Sequence, residues 1–173
     1  MTESITTSDA WQTIRWPQVQ RIVYRLQQRI YRASQQGDTR TVQSLQRLLT
    51  TSWSARLLAV RKVTQENLGK KTAGIDGVHS LAPAERLALA TDLKLDGKSA
   101  PVRRVLIPKP GKSEYRQLGI PTMRERAKQA LAKLALEPQW EAQFEPNSYG
   151  FRPGRSPHDA IGQVFLCISQ NPK

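Results

Sequence analysis

Two short apolar runs, at residues 102–107 and 115–120, are the chain's strand candidates, and most of the remaining apolar residues recur at helical spacing. They sit within RRVLIPKPGKSEYRQLGIP, residues 103–121, joined by PKPGKSE. A Pro-Gly turn between apolar runs reads as an antiparallel β-hairpin, with Pro108 and Pro110 keeping the connection out of the ladder. The fold class that follows is α+β, predominantly helical, with one small antiparallel hairpin. Cations recur along this hairpin, and its tip is suited to gripping phosphate.

The helical pattern is clearest from Trp16 to Ala33. Val19, Ile22, Val23, Leu26, Ile30 and Ala33 form one stripe, and Arg21, Arg25, Arg29 and Arg32 form another. Gly37 and Asp38 interrupt it, with Asp38 an N-cap for a second helix bearing Val42, Leu45, Leu48 and Leu49, so the two make a helical hairpin. Trp53, Leu57, Val60 and Val63 mark a third helix, and Trp11, Trp16 and Trp53 are expected to pack the hairpin. NLGKKTAGIDGV, residues 67–78, has three glycines and no apolar period, and reads as a mobile loop in which Asp76 bonds its own backbone. A short helix is expected from Pro83 to Leu95, closed by Gly97. A long one is expected from Met123 to Phe144, with Leu131, Leu134, Leu136 and Trp140 inward and a kink or restart at Pro138. Ser156, Pro157 and Asp159 have the spacing of a capping box and start the last helix, where the apolar run 164–168 makes Cys167 a packed thiol.

Charge narrows the function. Twenty-seven Lys and Arg against fourteen Asp and Glu leave +13, an imbalance suited to a polyanionic partner, above all nucleic acid. The excess is clustered: between Lys98 and Lys133 the acids are Glu114 and Glu125, against ten basic residues. One cysteine excludes an internal disulfide, and the N-terminus lacks the basic start and apolar run of a secretory signal, so a cytoplasmic location is expected.

Local catalytic signatures fail on spacing. Two Gly-Lys-Ser tripeptides suggest a P-loop, but the glycine required five residues earlier is replaced by Asp92 and Leu106. His79 and His158 belong to no metal-ligand pattern, and Asp92 and Asp96 read as a solvated helix end. No metal ligand and no catalytic acid is assigned.

Residues 67–78, 103–138 (RRVLIPKPGKSEYRQLGIPTMRERAKQALAKLALEP) and 148–161 (SYGFRPGRSPHDAI) resemble, in order and spacing, consecutive blocks of a group II intron reverse transcriptase, the intron-encoded maturase. The resemblance implies an incomplete right-hand polymerase: an N-terminal RNA-binding helical extension over 1–66, reverse-transcriptase fingers over 67–147, and a fingers-to-palm loop and helix over 148–173. It implies that Lys109 and Arg116 hold the triphosphate of the incoming nucleotide. Lys70, Lys71, Arg103, Arg104, Arg152 and Arg155 would contact template, although an arginine bracing the loop is as good a reading of Arg152. Arg21, Arg25, Arg29 and Arg32 would hold intron RNA, mainly through phosphate and shape.

The family's metal-binding aspartates lie beyond the blocks present here, so the resemblance implies RNA-directed DNA polymerisation, with magnesium, an RNA template, a DNA primer and deoxynucleotides, only for a complete enzyme. This chain by itself is expected to bind group II intron RNA without polymerising. The alternative is a stand-alone RNA-binding splicing cofactor or relic. Exposure of Val164, Phe165 and Leu166 where a palm would cover them would allow self-association.

Overall fold

A computed structural model describes residues 7–170; the ends of the first and last sequence segments, and with them the N-terminal signal reading, lie outside the described residues. Among the described residues there are seven α-helices and one two-stranded sheet, mostly helical as the periodicity predicts. Helix α1 (Thr7–Gln12), absent from the periodicity reading, precedes α2 (Trp16–Gln35), α3 (Thr39–Thr51) and α4 (Trp53–Arg61). A π-turn (Lys62–Glu66) and a 3-10 turn (Leu68–Lys71) lead through a loop to α5 (Pro83–Asp92). Strands β1 (Arg103–Pro108) and β2 (Tyr115–Ile120) follow, then α6 (Met123–Glu141) and α7 (Pro157–Gln170).

The core lies among α2 to α6, where Val23, Ile30, Leu49, Leu57, Val60, Leu93 and Leu131 are fully buried. Residues on both sides of position 66 share this one cluster. The predicted caps form: the Asp38 carboxylate accepts from Thr41 N at 3.0 Å, and Ser156 and Asp159 exchange the reciprocal bonds of a capping box. Those bonds hold the carboxyls of both aspartates below the ordinary carboxylate range, with the Thr41 and Ser156 hydrogen bonds as the largest causes.

Several local expectations are corrected by long-range contacts. Helix α6 continues through Pro138 to Glu141 instead of restarting. A proline there removes the bond to the carbonyl four residues back, and that carbonyl, on Leu134, accepts instead from Gln27 Nε2 of α2 at 3.0 Å. Gln46 Nε2 and Ser34 Oγ serve the neighbouring Ala135 and Gln139 carbonyls. Leu131 faces the core as predicted, but Leu136 and Trp140 are half exposed, while Ala127, Ala135 and Pro138 are buried. Trp11 is buried edge-on against Trp16, whereas Trp53 is 46% exposed at the start of α4.

Helix α5 ends at Asp92, short of the expected Leu95, because Leu93 turns extended to enter the core. Asp96 is not part of a solvated helix end: Lys128 Nζ bonds it at 2.9 Å and also the Lys98 carbonyl at 2.8 Å. Hydrogen bonding to Lys128 is the largest cause of the lowered Asp96 carboxyl, and the same bond raises the ammonium.

Pro108 is inside the ladder, opposite Tyr115. Lys109 N donates to Glu114 O at 2.9 Å, so the next pair inward is the non-hydrogen-bonded kind and needs no N–H from Pro108. Helix α7 buries no residue, and Ile161, Val164, Phe165, Leu166 and Ile168 are exposed together. Cys167 is exposed with them, not packed. No helix among the described residues is long and apolar enough to cross a membrane.

Candidate nucleic-acid interface

Arg21, Arg25 and Arg29 recur every fourth residue of α2, and Arg32 follows three later, which aligns them along one edge of the helix. All four are exposed, and none has an acidic partner among the described residues. Like charges at this spacing repel by about 0.2–0.5 kcal/mol per pair, so the stripe does not serve helix stability. A groove at the N-terminal end is lined by Arg15, Trp16, Arg21, Ile22 and Arg25, adding an exposed arginine that the helical stripe did not include. Arg61 stacks over Trp16 at 4.5 Å from the ring centroid and is also paired with Glu66 at 3.0 Å.

The hairpin sorts its cations by face. In the antiparallel register Arg103 pairs with Ile120, Val105 with Leu118 and Ile107 with Arg116, so these residues share one face with Lys109 and Glu114 at the tip. Lys109 and Arg116 are therefore diagonal neighbours on one surface. Lys109 is not free there: its Nζ meets Glu114 Oε2 at 2.6 Å. Arg104 pairs with Gly119 on the opposite face, and Arg103 and Arg104 cannot address one ligand from the same side. Neither strand packs extensively on a helix among the described residues, leaving the hairpin projecting from the helical body.

The lysine loop is tethered and not a free strap. Arg126 of α6 donates to three backbone carbonyls: Pro121 O at 3.0 Å, Gly69 O at 2.8 Å and Thr72 O at 2.5 Å. Gly74 lies so close to α6 that an added Cβ would stand 2.7 Å from Thr122 Cα. Lys70 folds back onto the Gln65 carbonyl at 2.6 Å, whereas Lys71 is exposed. Asp76 makes the expected turn with Val78 N at 3.2 Å.

Residues 11–93 match the N-terminal domain of reverse transcriptase. The chain is 38% identical to protein YkfC of Escherichia coli K12 over 135 residues, covering 74% of this chain and 34% of that protein. It is 34% identical to maturase-like protein 1 of Euglena gracilis over 145 residues, 82% of this chain and 31% of that one. Group II intron-encoded protein LtrA of Lactococcus lactis subsp. cremoris is 44% identical over 64 residues, 37% of this chain and 11% of LtrA. The chain carries a reverse-transcriptase N-terminal domain and is related to the N-terminal part of group II intron-encoded and maturase-like proteins. It spans about a third of the length of the first two relatives.

The two arginines of GFRPGRS part company. Arg152 is a brace: its side chain is 6% exposed, bonded to Glu141 through Nε and Nη2 and to the Glu145 and Ser148 carbonyls through Nη1. It also lies 5.1 Å from the Phe144 ring centroid. The Glu141 hydrogen bond raises its already high pKa. These are the bonds that the bracing reading of Arg152 calls for, and they turn its guanidinium toward Glu141. Arg155 is exposed, over Tyr149 at 5.5 Å. Arg152→Ala is expected to release the segment 142–155 from α6, so that limited proteolysis there runs roughly tenfold faster. Arg152→Lys should restore little, because an ammonium cannot span the same acceptors. Equal cleavage of wild type and Arg152→Ala would show that the brace carries no load.

Among the described residues no three His, Cys, Asp or Glu side chains converge. Sequence reading missed Arg126 and Gln27, whose targets are backbone carbonyls remote in sequence or on another helix. No local pattern announces such a bond.

Proposed function

We propose that this chain is the RNA-holding and nucleotide-gripping part of a group II intron reverse transcriptase and maturase. On this reading residues 1–66 hold intron RNA, 67–147 are the fingers, and 148–173 lead toward the palm of a complete cytoplasmic enzyme. The observation that carries it is the α2 stripe of four exposed arginines without acidic partners among the described residues, in a chain with net charge +13. Phosphates laid along that edge would relieve the repulsion among its guanidinium groups.

The hairpin supports the second half. Lys109 and Arg116 share a face, and a triphosphate carries enough negative charge to draw Lys109 from Glu114. In the complete enzyme, magnesium would be held by carboxylates other than those described here. Lys71 and Arg155 are exposed for template, and the Arg126 clamp would hold the lysine loop near the base of the hairpin.

Binding of the purified chain to a structured group II intron RNA tests this, followed by fluorescence anisotropy across a salt series. Four phosphate contacts predict a log–log slope of about −3. The same preparation should not extend a DNA primer on an RNA template. A salt-independent affinity would remove the RNA-holding role, and extension that co-purifies with the chain would remove the division of labour.

A further inference from the structure

Helix α2 carries a third stripe between its buried face and its arginines. At about 100° per residue, Tyr24, Gln28, Tyr31 and Gln35 lie along it. This stripe forms one wall of a cleft of about 550 Å³, whose other wall is Glu137, Pro138 and Glu141 of α6, with Pro153 at its edge. Arg32 belongs to both the cleft and the arginine stripe. Tyr24 is 59% exposed and Tyr31 partly buried, with the Gln35 amide donating to the Tyr31 hydroxyl at 3.3 Å. The Gln28 amide has no protein partner among the described residues.

The chemistry of the walls selects the ligand. Two carboxylates line the cleft, each already paired with a cation, and Arg32 is the one cation in the lining, so phosphate finds one guanidinium there against four along the neighbouring stripe. A planar neutral group bearing hydrogen-bond donors fits better: tyrosine faces stack on it, and the Gln28 amide and the Glu137 carboxylate accept from it, both Glu141 oxygens being bonded already by Arg152. The Lys133 pair at 3.2 Å offsets the Glu137 charge through Oε1 and leaves its second oxygen as an acceptor. Sequence-specific recognition of RNA works in this way, through unpaired bases stacked on aromatic side chains and read at their edges.

We propose that this α2–α6 cleft receives an unpaired nucleobase of the RNA whose phosphates lie on the arginine stripe, with amino-bearing bases preferred over uracil. The proposal rests on the RNA-holding reading above and adds to it a site for a single-stranded loop or bulge.

The test compares a hairpin RNA with an adenosine loop and a blunt duplex of equal phosphate number, at one salt concentration, by anisotropy. Wild type should prefer the looped RNA by roughly tenfold, the scale of one stacked base. Tyr24→Ala, at an exposed position, should lose most of that preference and keep duplex affinity within about twofold; Tyr31→Phe should retain the preference. A uridine loop should bind more weakly than the adenosine loop. Equal wild-type affinity for loop and duplex would overturn the cleft assignment, as would a Tyr24→Ala loss shared by both RNAs. Equal binding of uridine and adenosine loops would overturn the amino preference. Wild type that binds neither RNA would overturn the RNA-holding reading itself, a result distinct from binding without loop preference.

Discussion

Replacing Arg21, Arg25 and Arg29 together with alanine is expected to weaken binding to structured intron RNA by on the order of thirtyfold at moderate salt. The log–log salt slope should shrink by about two, since each of the three lost phosphate contacts removes roughly 0.7 of a released counterion. The reasoning is geometric first: the three guanidinium groups lie on one edge of α2, exposed and without acidic partners among the described residues. The substitution also separates function from folding. It removes like-charge repulsion at four-residue spacing and introduces the best helix former, so thermal stability should hold or rise slightly. A variant with wild-type affinity would show that the stripe is merely solvated. A variant that loses affinity and melts early would show that the arginines hold the fold.

Gly74→Ala should have the largest effect on stability among single surface-loop changes. The added methyl would stand 2.7 Å from Thr122 Cα, 2.8 Å from Thr122 N and 3.0 Å from Pro121 O. All three are backbone atoms, so no rotamer change can make room. Thr122 is also the N-cap of α6, its hydroxyl accepting from Glu125 N at 3.2 Å, and a shift there disturbs the cap. The expected cost is about 1–3 kcal/mol, or a melting temperature lower by roughly 3–10 °C for a chain of this size. Arg126 holds the same loop a few residues earlier, at Gly69 and Thr72, so hydrogen exchange in 67–78 should quicken in the variant. An unchanged melting temperature with unchanged exchange would mean that loop and helix separate freely.

These two sites differ in how far they could be read in advance. The arginine edge follows from four residues on one helix, and its exposure follows from the apolar stripe on the other side. The Gly74 contact joins positions 48 residues apart, and the sequence offers only a glycine in a loop to suggest it. That is why NLGKKTAGIDGV reads as mobile and is found held against α6. Lys109 shows the intermediate case: its place at the hairpin tip is legible, but its pairing with Glu114 required the turn to close in a particular register.

What the sequence by itself determined is the local part: helical periods, the hairpin, the Asp38 and Ser156 caps, and the face on which the arginines lie. Each depends on residues within about four positions, where backbone geometry leaves few choices. Only the tertiary structure decided what the long polar side chains do. Gln27 rescues a carbonyl freed by Pro138 on another helix, Arg126 gathers three carbonyls, and Arg152 turns inward to Glu141. The physical reason is that a flexible polar side chain is fixed by whichever unsatisfied or charged group packing brings within its reach, and chain order does not specify that neighbour.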